Sequence, residues 1–304
     1  MQVLYSYETM EPGNEQQPVF NPDKELNNRI DRSRKLFFYI LNFIIETARY
    51  AETDARQRAS KYIVSEADRN VNVKIAGNEV LWTIMENEAY KNAMEQYHFP
   101  LPDDADELKK VYQSLASTNE YASYIAEQSR NRKAEQKILQ FIFSELLLNN
   151  EDFVSHVEEL FENWEDDGEA LIAAIMQTLE KPGTLKFELK HFIGNDKFDF
   201  AKELLRTVIE KDTHLSDLIK PKLKNWDEDR IAIIDMLLLK MGISELLYFE
   251  TIPPKVTINE YIDIAKEYST DNSGQFINGT LDNIRKDLIA ENKMFKTDFK
   301  KSKQ

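Results

Sequence analysis

The chain has 304 residues, of which 42% are hydrophobic, with no cysteine, 8 glycines, 9 prolines and a formal net charge of −15. The lack of cysteine excludes disulfides, zinc ribbons and thiol catalysis, and the scarcity of turn formers argues against a β-sandwich or barrel. Averaged over the surface, the charge repels nucleic acid, so any nucleic-acid role needs a local basic face or selective contacts.

Met1 to Glu8 reads as a helix that Glu11-Pro12-Gly13-Asn14 breaks. A long helical pattern runs from Leu26 to about Ala59, with Leu36, Phe37, Tyr39, Ile40, Phe43, Ile44 and Thr47 on a helical period. Glu79 to Met94 predicts one helix with Leu81, Trp82, Ile84, Met85 and Ala89 inward. Two prolines make His98 to Asp104 a loop. Helical patterns then follow at Asp104–Ser117, Thr118–Arg130, Lys133–Leu148, Phe153–Trp164, Ala170–Leu179, Phe198–Lys211 and Leu215–Leu223.

The last hundred residues are the most clearly punctuated. Asn225-Trp226-Asp227 offers N-caps for a run from Ile231 to Leu239 that is apolar almost all round, which predicts a central helix. Gly242 suits a left-handed C-terminal position, and Ser244 suits the cap of a short helix through Phe249. Thr257 to Glu260 fits a capping box, and Ser273 suits the cap of a helix over Phe276–Leu288. Met294 onward reads as frayed and basic. No strand alternation competes, so the fold class is all-α, a compact multi-helix bundle of roughly ten to thirteen helices.

The charge is unevenly spread. Residues 24–74 hold eleven basic and seven acidic residues, residues 149–183 one basic and ten acidic, and residues 285–304 seven basic and three acidic. No leader pattern or bilayer-length apolar run is present, so the composition predicts a soluble, cytoplasmic protein with no membrane partner. His98, His156, His191 and His214 show no metal spacing, and no cofactor or metal is expected. Asn163 to Gly168 loosely resembles a calcium loop, but Ala174 stands where the bidentate glutamate belongs. No phosphate loop or nucleophile elbow occurs, and no carboxylate pair stands out, so the chain reads as no enzyme.

Residues Phe198 to Ile284 resemble the core of the transcription antitermination factor NusB family. The resemblance rests on Asn225-Trp226-Asp227-Glu228-Asp229-Arg230-Ile231, then Ile252 to Glu260, Ala265 to Ser269, and Phe276-Ile277-Asn278-Gly279-Thr280-Leu281-Asp282. Gln2-Val3-Leu4-Tyr5 is similar to the end of that family's first helix, and the stretch from about Pro22 to Asp196 looks like the insertion of the long Bacteroidetes form. The resemblance implies an all-helical protein that binds boxA-type single-stranded RNA in nascent ribosomal RNA leaders. Its partners would be a small-subunit ribosomal protein acting as an elongation factor and the transcription elongation complex. It also implies an arginine-rich segment upstream of Gln2; either translation begins at Met1 or, as expected, the chain as given begins about one helix late, and it is expected to bind RNA weakly.

The resemblance puts Tyr5 and Phe276 near the RNA surface as stacking platforms, against the plain alternative that both are core, more so Tyr5. Gln2, Asn272 and Gln275 can hydrogen-bond base edges or phosphates, or Asn272 and Gln275 merely flank a helix cap. Arg29, Arg32, Arg34 and Lys35 are the densest basic group, either a phosphate track or a solvated face. Trp226, Asp229, Arg230, Asn259, Glu260, Lys266, Asn278 and Gly279 read as the structural family motif, with Gly279 expected at a close helix approach. The acidic stretch from Glu151 to Glu169 suits either a basic protein partner or solvation alone.

The expected domains are 1–130, a helical region carrying the family-specific insertion, 131–292, the bundle with the NusB-like core, and 293–304, a basic flexible tail. Beside the RNA-binding antitermination factor stand two other readings. One is a structural or protein-binding helical module without intrinsic RNA specificity; the other is a trans-acting accessory domain for RNA modification.

Overall fold

The structure is a computed structural model that describes residues 1–10, 20–63, 65–69, 71–99, 105–223 and 231–297. The described residues form α-helices and short 3₁₀ or π turns, with no strand among them. In chain order the helices are α1 Gln2–Glu8, α2 Pro22–Ala59, α3 Glu66–Arg69, α4 Glu79–Glu86, α5 Glu88–Tyr97, α6 Ala105–Ala116, α7 Asn119–Ala126 and α8 Arg132–Phe141. They continue with α9 Glu151–Leu160, α10 Trp164–Glu180, α11 Leu189–Ile193, α12 Asn195–Glu210, α13 Asp212–Ile219, α14 Ile233–Tyr248, α15 Pro254–Tyr268 and α16 Ser273–Ala290.

The chain divides into two compact units, one of Met1–Asn27 with Asn195–Gln304, the other Asn28–Gly194. Residue 130 is no divide, because α7 and α8 on either side of it pack in the same unit. The 28–194 unit closely matches the stretch that reads as an insertion.

In the 28–194 unit, α2 is central. Every residue from Leu36 to Ile45 is buried, so this stretch of the helix is covered on all faces and not along one stripe only. Its aromatic rings reach the neighbouring elements, with Phe43 at 4.8 Å from Phe153 and Tyr39 at 5.1 Å from Phe161 between centroids. The helix expected over Glu79–Met94 is two helices. The Asn87 side chain accepts from Ala89 N at 2.8 Å and caps α5, which ends α4. Trp82, expected inward, is 50% exposed, because Val80, Leu81 and Ile84 form the inner face of the shortened α4. Glu135, wholly buried, caps α4 from outside it by accepting from Glu79 N at 3.0 Å and from the Tyr124 hydroxyl at 3.1 Å.

In the other unit, α14 is the central helix that its all-round apolarity predicts. It packs against α1, α12, α13, α15 and α16. Gly242 does not end it. The residue lies mid-helix, where an added Cβ would sit 2.9 Å from Leu281 Cδ1 and 3.2 Å from Tyr261 Cδ2. Ser244 caps nothing either; it is buried, and its hydroxyl donates to Lys240 O at 2.8 Å. Three charged residues are buried on α14, and each is matched, as burial demands. Asp235 meets serine hydroxyls, Lys240 pairs with Glu8 at 3.0 Å and Asp212 at 2.5 Å, and Glu245 accepts from Thr257 and Tyr261.

The capping box also fails. Helix α15 starts at Pro254, a residue suited to the first helical position, so Thr257 falls inside the helix and turns to Glu245. Asn259 and Glu260 are exposed on α15. The chain after α16 is held as far as Thr297. Lys296 Nζ donates to Glu245 O and Phe249 O at 2.8 Å each, and Thr297 N donates to Glu250 O at 2.9 Å. Residues 293–297 are thus a strap over the end of α14 and not a frayed tail, while residues 298–304 lie outside the described residues.

Candidate nucleic-acid interface

The N-terminal end of α16 gathers most of the candidate residues. Two tight interactions fix it to α14. Ser269 donates to Asp235 Oδ1 at 2.7 Å and Ser273 donates to Asp235 Oδ2 at 2.8 Å, so the buried carboxylate is satisfied by two hydroxyls. Ser273 Oγ also accepts from Thr270 N at 3.2 Å. The hydroxyl that sequence assigned to capping α16 is therefore used for tertiary anchoring and to close the preceding turn. The residue at the cap position is Asn272, whose side chain makes no cap bond; Ser273 N instead donates to Thr270 O at 2.9 Å and Phe276 N to Asn272 O at 3.1 Å.

A small cavity of about 90 Å³ opens here, lined by Ile231, Ala232, Asp235, Thr270, Asn272, Ser273 and Phe276. Asn272 and Gln275 are exposed at its rim helix, while Phe276 is 7% exposed and belongs to the core of this unit. Tyr5 is 42% exposed on α1, whose Val3 and Leu4 are the buried pair, and Gln2 is half-buried. The expected order of the two aromatics is thus inverted. Tyr5, taken as the more core-like, offers a ring to solvent, and Phe276 presents at most an edge to the cavity.

Gln275, Asn278 and Gly279 recur at helical spacing on the exposed face of α16. Gly279 does not lie under another helix, for a Cβ there would meet nothing within 4 Å. The close approach occurs at Gly274, where a Cβ would lie 3.3 Å from Lys266 Cγ. Lys266 lays its stem across the start of α16 and its ammonium pairs with Asp263 at 2.9 Å. Chemically, this end of α16 offers amides, uncharged polar side chains and an open glycine surface, with no cation among Asn272, Gln275, Asn278 and Gly279.

The basic group on α2 separates by role. Arg32 and Lys35 are exposed and Arg29 is half-buried, but Arg34 is buried. Its guanidinium pairs with Asp31, donates to Tyr97 Oη at 2.6 Å and to Phe187 O, and lies 4.0 Å from the Phe187 ring centroid. Arg34 is a structural clamp within the 28–194 unit, not part of a phosphate track. Trp226, Asp229 and Arg230 lie outside the described residues.

Sequence reasoning missed Asp235, Lys240 and Lys296. The signal for Asp235 was present as a lone carboxylate between Ile234 and Met236 in an apolar run. Nothing local marked Lys296, whose partners are carbonyls about fifty residues away. Among the described residues, no group of three or more His, Asp or Glu is placed to hold a metal, and no helix is long and apolar enough to cross a membrane.

Against known proteins, the NusB family matches residues 162–286. The transcription antitermination protein NusB of Salinibacter ruber is 44% identical over 99 residues, 33% of this chain and 62% of that protein. Its namesake in Bacillus velezensis is 37% identical over 101 residues, 33% of this chain and 78% of that protein. The Listeria monocytogenes protein of that name is 33% identical over 116 residues, 38% of this chain and 91% of that protein. A solved structure of T. maritima NusB is 33% identical, covers 42% of this chain and 84% of that chain, and has a TM-score of 0.29. The chain spans about three fifths of the Salinibacter relative, and 61% of the similar Methylacidiphilum infernorum protein. Coverage of 91% of the Listeria protein and 78% of the Bacillus protein at these identities carries the assignment: the chain belongs to the NusB family.

Proposed function

We propose that the chain is an RNA-binding transcription antitermination factor that recognises boxA-type elements in nascent ribosomal RNA together with a small-subunit ribosomal protein. It acts by binding within the elongation complex, without catalysis or cofactor. The observation that carries this reading is the 33–44% identity to proteins named transcription antitermination protein NusB, beside the family match over residues 162–286. The α16 surface is compatible with the role. Gln275, Asn278 and Asn272 supply hydrogen-bonding groups for base edges, and the open Gly279 lets an RNA backbone come close. Tyr5 supplies an exposed ring for a splayed base. In the 28–194 unit, the exposed Arg32 and the half-buried Arg29 are separate candidates for phosphate contact.

A second reading, a protein-binding helical module without RNA specificity of its own, draws on the burial of Phe276 and the net charge of −15. An antitermination assay separates the two. Transcription through a terminator is measured on templates with intact and scrambled boxA, with the chain, the ribosomal protein and the polymerase. Read-through that needs both the chain and intact boxA supports the first reading; read-through indifferent to boxA supports the second.

A further inference from the structure

The 28–194 unit carries a groove of about 710 Å³ along α9 and the first half of α10, remote in sequence from the α12–α16 bundle. Its apolar lining is the half-buried Trp164 and Ile172, with the 8% exposed Phe161 beneath them, and its polar lining is Glu158, Glu162, Glu165 and Glu169. Glu165, Gly168, Glu169 and Ile172 share one face of α10 by helical spacing. The Trp164 ring lies along the α10 backbone at Gly168, where an added Cβ would meet it at 3.5 Å. All four glutamates are exposed, and none is in an ion pair with a described residue. They sit in a stretch, 149–183, with ten acidic residues against one basic residue.

One cation already reads this aromatic surface. Lys35 Nζ, from α2, lies 5.9 Å from the Phe161 ring centroid. The combination selects a ligand class. Phosphate is repelled by four carboxylates. A bare metal ion has no use for the aromatic floor, and the carboxylates form no metal-holding group among the described residues. Lysine and arginine fit both parts, since their stems pack on apolar surface while their charged ends reach carboxylates.

We propose that this groove docks a lysine- and arginine-bearing segment of a partner protein, its stems on Phe161, Trp164 and Ile172 and its cationic ends among Glu158, Glu162, Glu165 and Glu169. The groove thus gives the 28–194 unit a task separate from the RNA contact proposed for α16. The test is fluorescence anisotropy of the full chain with a labelled lysine–leucine–alanine peptide and its lysine-acetylated version. The paired variant Glu162→Gln/Glu165→Gln is expected to weaken binding by about tenfold or more. The charge-matched control Glu95→Gln/Glu120→Gln, on exposed residues outside the groove, is expected to leave it within about twofold. Acetylation is expected to abolish binding. Equal weakening by both variants would reduce the effect to bulk charge and overturn the proposal, as would absence of binding. Sedimentation velocity supplies the last outcome. If the groove variant dissociates an oligomer of the chain and leaves peptide binding unchanged, the occupant is a second copy and the proposal fails.

Discussion

Ser273 donates its hydroxyl to the buried carboxylate of Asp235 at 2.8 Å, and this bond ties the first turn of α16 to the central helix α14. The same Ser273 oxygen accepts from Thr270 N, so one side chain sets both the position and the entry angle of the helix that carries Asn272, Gln275 and Asn278. Ser273→Ala removes a bond to a buried charged group and strands one carboxylate oxygen. Its expected cost is about 1.5–3 kcal/mol, measured by urea unfolding. Ser273→Thr, which keeps the hydroxyl, is expected to recover part of that loss. A cost below about 0.5 kcal/mol for the alanine variant would show that the bond does not hold α16.

Two glycines on the same bundle are expected to respond in opposite directions. At Gly242 a Cβ would collide with Leu281 and crowd Tyr261, so Gly242→Ala is expected to destabilise by about 1–3 kcal/mol. At Gly279 the space is open and the residue is helical, so Gly279→Ala is expected to stabilise by up to about 1 kcal/mol. Thermal melts of the two variants check both signs. If an RNA backbone approaches Gly279, the stabilised variant should also bind boxA RNA less tightly.

Arg34 and Arg32, neighbours on α2, should separate stability from binding. Arg34→Ala leaves Asp31, Tyr97 and Phe187 O without their shared donor and is expected to cost about 2–3 kcal/mol. Arg32→Ala, at an exposed position, should stay within about 0.5 kcal/mol. If Arg32 meets a phosphate, its loss lowers the slope of log affinity against log salt by about one. Denaturation and a salt titration on the same two variants give the comparison.

Alkaline pH should unfold the protein cooperatively. Tyr90, Tyr97, Tyr121, Tyr124 and Tyr261 all have phenol pKa values raised above the ordinary 10.0, chiefly because burial disfavours the phenolate. Glu135 beside Tyr124 and Glu245 beside Tyr261 add to the effect. The folded state binds these protons more tightly than the unfolded state. Their contribution is therefore complete below about pH 10 and is lost as pH rises towards the folded-state values. Phenolate absorbance should show the exposed tyrosines ionising first and these five only together with loss of helical circular dichroism. Ionisation of all the tyrosines before any loss of helix would contradict the burial account.

The helical class and the central place of α14 were legible because an all-round apolar run allows no exposed face. The motifs from Ile252 to Asp282 likewise made the family legible. Cap-forming residues misled at Ser244, Thr257 and Ser273, because a hydroxyl inside a helix can serve a tertiary partner as well as a terminus. Gly242 and Gly279 misled as a pair, since a glycine's neighbours depend on which helix crosses it, and spacing along one chain does not record that. The inversion of Tyr5 and Phe276 has the same origin. Both stand at positions one helix turn could bury, and only the packing of α1 and α16 decides. Asp235 could have been found as an isolated carboxylate in an apolar run, which needs buried donors; the donors themselves, Ser269 and Ser273, are 34 and 38 residues away.

The most direct test of the central claim is a salt titration of binding to boxA RNA and to scrambled RNA of equal length, with and without the ribosomal protein. The complex is expected to prefer boxA, to keep that preference as salt rises, and to lose it on Gln275→Ala with Asn278→Ala without a lower melting temperature. Equal affinity for both RNAs under every condition, with the ribosomal protein present, would contradict the claim.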